Sequence, residues 1–141
     1  VTFFLDTNVV VYAATDGPYR DACVELLAAV AEGADARTST AVLEEVWHVE
    51  LSGRAGNLAG LAGRAYTLLT PLLSVTDDVV AAALALRVGG LGANDRVHAA
   101  TCALNGIEAI VTADAAFDGI HGLRRVDPLD VRAVGELLGA P

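Results

Sequence analysis

The sequence contains no lysine. Nine arginines carry all of its cationic side-chain charge against eighteen Asp and Glu residues, and the net charge is −9. A field of that sign does not hold polyanions broadly, so a nucleic acid can bind only at one local site where the charge is cancelled. Cysteine is scarce. Cys23 and Cys102 lie far apart, in neither a disulfide framework nor a metal-type spacing. They read as two buried thiols in a reducing compartment. His48, His98 and His121 make no HExxH or similar pair, which argues against a zinc site. Long apolar runs are also missing. The longest, VVAAALAL at 79–86, falls far short of the roughly 18 residues of a membrane span. No basic segment followed by an apolar stretch opens the chain, so no signal peptide is expected and the expected location is the cytoplasm. Aromatic residues make up only 5%, which leaves core building to Ala, Leu and Val. Nothing matches a P-loop or a GxGxxG turn.

What is present suits one domain over residues 1–141. The chain is 54% hydrophobic and 19% charged, enough to bury a full core. TFFL, residues 2–5, reads as a buried and therefore parallel strand ending at Asp6-Thr7-Asn8. Residues 19–32 have helical spacing and close at Gly33. A short strand at 36–40 runs into a helix at 41–51. The Gly- and Ala-rich stretch 52–64 reads as a loop or a poorly packed helical hairpin. Residues 65–72 are helical until Pro71, and LLSVT at 72–76 is a strand. Asp77-Asp78 cap a helix over 79–88, which Gly89, Gly90 and Gly92 break. Asn94-Asp95 open the next, closed by Gly106. Strands follow at 109–114 and 124–127, and the final helix starts near Pro128. Alternating helices and wholly apolar strands predict an α/β fold, a three-layer α/β/α sandwich around a mainly parallel sheet.

Asp6 then poses a question, because an ionised carboxylate inside an apolar run needs a partner. Ligands of such sheets bind beyond the carboxyl ends of the strands, where Asp6 and Asp114 both fall. Asp6, Asp95 and Asp114 each lie near a helix start, and capping alone would explain any one of them. Asp77, Asp78 and Asp127 need no other explanation. Glu45 does, being internal to its helix. At roughly 100° per residue it borders the apolar face of Val42, Val46 and Val49, whereas Glu44 points nearly opposite.

LDTN (5–8), STAVLEEV (39–46), NDRVHAA (94–100) and VTADAAF (111–117) together resemble a PIN domain, and more narrowly the VapC-type toxins of bacterial toxin–antitoxin pairs. The segments stand in the family's order over nearly the whole chain. The resemblance implies that Asp6, Asp95 and Asp114 are metal ligands, with Glu45 binding directly or through water. It places Asn8 and Thr112 as polar supports and leaves Asp118 as a further acid. Arg96, beside Asp95, reads as a phosphate contact or a solvated first-turn arginine. Arg20, Arg54 and Arg64 are weaker candidates of that kind.

Converging carboxylates repel unless a hard divalent cation joins them, and oxygen donors suit Mg²⁺ or Mn²⁺. The implied activity is metal-dependent endoribonuclease cleavage. The implied partners are an RNA substrate, a cognate VapB-like antitoxin whose tail lies in a groove beside the site, and a second copy in a homodimer. No membrane is implied. The stretch 52–64 and Trp47 are candidates for that groove, although Trp47 also reads as a core residue. Two alternatives compete. One is a non-catalytic, partner-binding PIN module whose acids only cap helices. The other is a haloacid dehalogenase-type phosphatase, which typically needs D-x-D and a lysine. Here Asn8 stands at the second position and lysine is absent.

Overall fold

The computed structural model describes residues 1–139. Its sheet has four short strands, β1 (Phe3–Leu5), β2 (Ala36–Arg37), β3 (Ala109–Val111) and β4 (Arg124–Val126). All pairings are parallel, in the order β2-β1-β3-β4. Seven helices surround it: α1 (Thr7–Ala13), α2 (Arg20–Ala31), α3 (Thr40–Ser52), α4 (Leu61–Leu69), α5 (Asp77–Ala85), α6 (Ala93–Leu104) and α7 (Val131–Leu137). A 3₁₀ turn, Ala115–Gly119, follows β3. Every residue of β1 and β3 is buried, as expected of central parallel strands covered on both faces. The chain's three phenylalanines, Phe3, Phe4 and Phe117, are fully buried beside Ile110 and Val111. The phenylalanines therefore sit at the centre of a core otherwise made mostly of aliphatic side chains, while Trp47 and Tyr66 stay exposed.

Register positions the site. Phe4 lies opposite Ile110 and Leu5 opposite Val111, so β1 and β3 end level and the Asp6 amide donates to Val111 O at 3.2 Å. Asp6 and Thr112 thus leave the sheet side by side.

Several sequence expectations change in detail. No strand forms over 72–76; Leu73 makes one isolated bridge to Ser39. The reason is local. The partner segment turns into α3 at Thr40, and the Val75 amide goes to the Thr40 hydroxyl instead of a carbonyl. Asp77 and Asp78 do not cap α5. Thr76 does, accepting from the Val79 amide, while the two acids lie in the first turn near the positive helix end. That helix stops at Ala85, and the Leu86 and Val88 carbonyls accept from the Arg96 guanidinium instead. The stretch 52–64 resolves into the end of α3 at left-handed Gly53, a loop, and the first turn of α4. Glu50 fixes that first turn by accepting from the Gly60 and Ala62 amides.

Cys23 and Cys102 are buried free thiols. Burial pushes them up to about 11 and about 12, so both stay protonated and inert. Trp47 is not a core residue. Val42 and Val46 occupy the buried side of α3, and Trp47, one step of about 100° further round, is 57% exposed.

Candidate active site

Asp6 ends β1 and caps α1. Its Oδ1 accepts from the Thr7 amide at 2.8 Å, and its Oδ2 accepts from Thr112 Oγ1 at 2.8 Å. The Thr112 hydroxyl is the hub of this corner. It gives its one proton to Asp6 and accepts from Asn8 Nδ2 at 2.9 Å and from the Asp114 amide at 3.1 Å. One donor and two lone pairs are then all used. Asn8 Oδ1 accepts in turn from the Ala113 amide, locking the turn after β3 to α1. Asp114 caps the 3₁₀ turn through Oδ1, which accepts from the Ala116 amide at 2.9 Å.

Glu45 reaches this corner from α3. Its Oε1 accepts from Thr7 Oγ1 at 2.9 Å and pairs with His98 Nε2 at 2.5 Å. His98, on α6, is fully buried, and its Nε2 is also 3.7 Å from Asp6 Oδ1. One donor atom from each of Asp6, Glu45 and His98 fits within 4.8 Å, a grouping able to hold a metal ion. Phe4 packs against the imidazole, and His98 Nδ1 has no hydrogen-bond partner among the described residues.

Electrostatics report the same convergence. Burial raises the Asp6 carboxyl above its ordinary range, although His98 and the Thr112 bond oppose this. Burial acts on Glu45 likewise, but the bonds from His98 and Thr7 prevail and hold it low. Burial alone would lower His98, yet the Glu45 bond and the Asp6 charge outweigh it and raise the imidazole. Asp95 stands in the first turn of α6, whose cap is Gly92. Burial, then the negative charges of Asp6 and Asp114, push it up to about 6. Asp6 and Glu45 thus meet at His98, supported by Asn8 and Thr112, whereas Asp95 and Asp114 stand outside that grouping and bear on it through their charge.

Two of the sequence candidates are engaged elsewhere. Arg96 is neither a free phosphate contact nor a solvated residue. Its guanidinium donates to the Leu91, Leu86 and Val88 carbonyls at 2.8, 3.0 and 2.9 Å, clasping the loop ahead of α6. Asp118 is taken up by Arg125, with Nε to Oδ1 at 2.7 Å; Arg125 also reaches Asp127 and the Thr112 carbonyl. Among the weaker arginines, Arg20 pairs with Asp16, and Arg64 donates to the Ala59 carbonyl. Sequence reasoning missed His98 and Thr7. The signal for His98 was its place three residues after Asp95, on the same helix face. Thr7 lies inside the LDTN segment.

A parallel sheet carrying an acid at the end of each central strand, with further acids from two helices, is the arrangement of a PIN domain. The chain belongs to the PIN domain family, whose model matches residues 3–123. It is 36% identical over 142 residues to Ribonuclease VapC7 of Mycobacterium tuberculosis, covering 96% of this chain and 97% of that protein. A chain from the crystal structure of VapBC2 of Rickettsia felis, bound to a DNA fragment from its promoter, has the same fold. There the TM-score is 0.65 at 19% identity, over 89% of this chain and 98% of that one.

Proposed function

We propose that this protein is an endoribonuclease toxin of the VapC kind that depends on Mg²⁺ or Mn²⁺ and is restrained by a cognate VapB-like antitoxin. The observation that carries this reading is the gathering of Asp6, Glu45 and His98 donor atoms within 4.8 Å, beside an Asp95 that burial and then the Asp6 and Asp114 charges raise to about 6. Acids that served only as helix caps would have no reason to bear such mutual repulsion, which disfavours the non-catalytic module. The likeness to Ribonuclease VapC7 supports RNA as the substrate, and the VapBC2 neighbour supports an antitoxin as the partner.

In this mechanism Asp6, Asp95 and Asp114 would hold the cation, with Glu45 bound directly or through water. When bound, such an ion activates water, orients the phosphodiester and neutralises charge on the leaving oxygen. The chain's own residues set the stage. Thr112 and Asn8 hold Asp6 and the Asp114 turn in one orientation. Thr7 and His98 clasp Glu45 Oε1 and leave Oε2 outside that clasp. Hydrolysis with in-line attack leaves 5′-phosphate and 3′-hydroxyl ends.

The test is cleavage of single-stranded RNA by purified protein with EDTA, with Mg²⁺ or Mn²⁺, and with Asp6→Asn and Asp95→Asn. Activity should need the ion and drop by at least about a hundredfold in either variant. Undiminished cutting by either variant, or in excess EDTA, sinks the proposal.

A further inference from the structure

We propose that the cleft beside Glu45 is a nucleobase subsite, in which an unpaired base of the RNA stacks on the exposed indole of Trp47. This rests on the ribonuclease reading and names what part of the substrate that site grips.

Trp47 is the chain's single tryptophan and is 57% exposed on α3. It lines a cleft of about 500 Å³ together with Thr7, Glu45, Glu44, His48 and Asn94. Thr7 and Glu45 are bonded to each other in the acid cluster, so the cleft opens directly from it. Glu45 and Trp47 are about 200° apart round α3, so the cleft wraps the helix from the acid cluster to the indole. A base on Trp47 therefore belongs to a nucleotide flanking the one whose phosphate meets the cluster. Trp47 also borders a second cleft, which contains Tyr66, 54% exposed on α4. Two aromatic faces thus lead away from the acids, the arrangement that single strands use as stacking platforms.

The charge of the cleft says which part of a nucleotide it suits. Among the described residues, no arginine lines either cleft, and Glu44 lines both. Such a wall repels phosphate. It suits a neutral ring with an aromatic face and N–H donors, and Glu44 can accept from base amino or imino groups. A base held in a duplex cannot present that face, so the subsite selects unpaired RNA.

The single indole makes the test direct. Trp47 emission is followed while a phosphorothioate-linked oligoribonucleotide is added in Mg²⁺, single-stranded or annealed to its complement, with cleavage checked on the same samples. Single strands should quench the emission saturably and the duplex should not. Trp47→Ala should raise the KM for single-stranded RNA by about tenfold, the order expected for one lost stack, while Trp47→Phe retains most of the affinity. Mn²⁺ affinity, measured by calorimetry, should be the same in all three proteins. The proposal is overturned if Trp47→Ala leaves KM within about twofold, or if duplex quenches equally. It is also overturned if the substitution only converts a dimer to a monomer, or if a basic peptide quenches and RNA does not. If the phosphorothioate strand quenches but unmodified RNA of the same sequence is never cut, the ribonuclease reading fails while the base subsite stands.

Discussion

His98 Nε2 lies 2.5 Å from Glu45 Oε1, and this contact ties α6 to α3 where their carboxylates meet. The imidazole sits between Glu45 and Asp6 and offsets their repulsion. His98→Ala should therefore cost about 2–4 kcal/mol, through a core void and an uncompensated acid pair. His98→Gln, whose amide nitrogen can replace Nε2, should recover part of both stability and activity. Urea denaturation and RNA cleavage measure the two effects. Equal recovery in His98→Leu, which fills the space without a donor, would show that only core volume matters.

Asp95 predicts an inverted effect of pH on stability. Its carboxyl is raised from 3.8 to about 6, so the folded state holds that proton more tightly than the unfolded chain. The stabilising contribution is complete below about 3.8 and is lost as pH rises through about 6. Without metal, Asp95→Asn should melt higher than the parent well above pH 6, and the gap should shrink in acid. Adding Mn²⁺ should raise the melting temperature of the parent and move the variant much less. A gap independent of pH would contradict this.

Arg96 predicts a structural phenotype. Its planar guanidinium serves three carbonyls of the loop 86–91, and a lysine's point charge cannot reproduce that fork. Arg96→Lys should cost about 1–3 kcal/mol and hasten proteolysis near Gly89–Gly92. The salt dependence of RNA binding should not change. A shallower salt slope in the uncharged Arg96→Gln would instead restore a phosphate contact.

Thr112 should tolerate serine but not valine. Thr112→Val leaves the Asp114 amide without its acceptor and Asp6 Oδ2 and Asn8 Nδ2 with only their 3.4 Å bond to each other, at a cost of about 2–3 kcal/mol and most of the activity. Thr112→Ser keeps the hydroxyl and should stay close to the parent in both. Thermal melts and initial cleavage rates separate these outcomes.

Much of the fold was legible because it rests on local signals. TFFL is apolar without alternation and became a buried parallel strand, whereas of the strand expected over 109–114 only Ala109–Val111 formed, because Thr112 and Asp114 turn into the 3₁₀ segment; Gly33 and Gly106 ended helices where left-handed backbone was needed. Glu45 could be told from Glu44 by helical angle alone. What escaped was decided by partners distant in sequence. His98 carries no ligand-type spacing, and its role exists only because α3 brings Glu45 to it. Arg96 reads as a surface residue until the carbonyls of 86–91 fold over it. The segment 72–76 has strand composition, but its neighbour became a helix and left one bridge. Trp47 has the chemistry of a core residue, yet the helical phase of α3 turned it outward.

The level ends of β1 and β3 carry a further consequence for how the protein is made. Asp6 leaves the ribosome more than a hundred residues before Thr112, which orients it, and before Asp114. β3 enters the sheet between β1 and β4, so a nascent chain stopped short of residue 112 lacks the hydroxyl that aligns its first acid. Release between those two points leaves Asp6 without its orienting partner, and the acid corner is completed only after the third strand has been made.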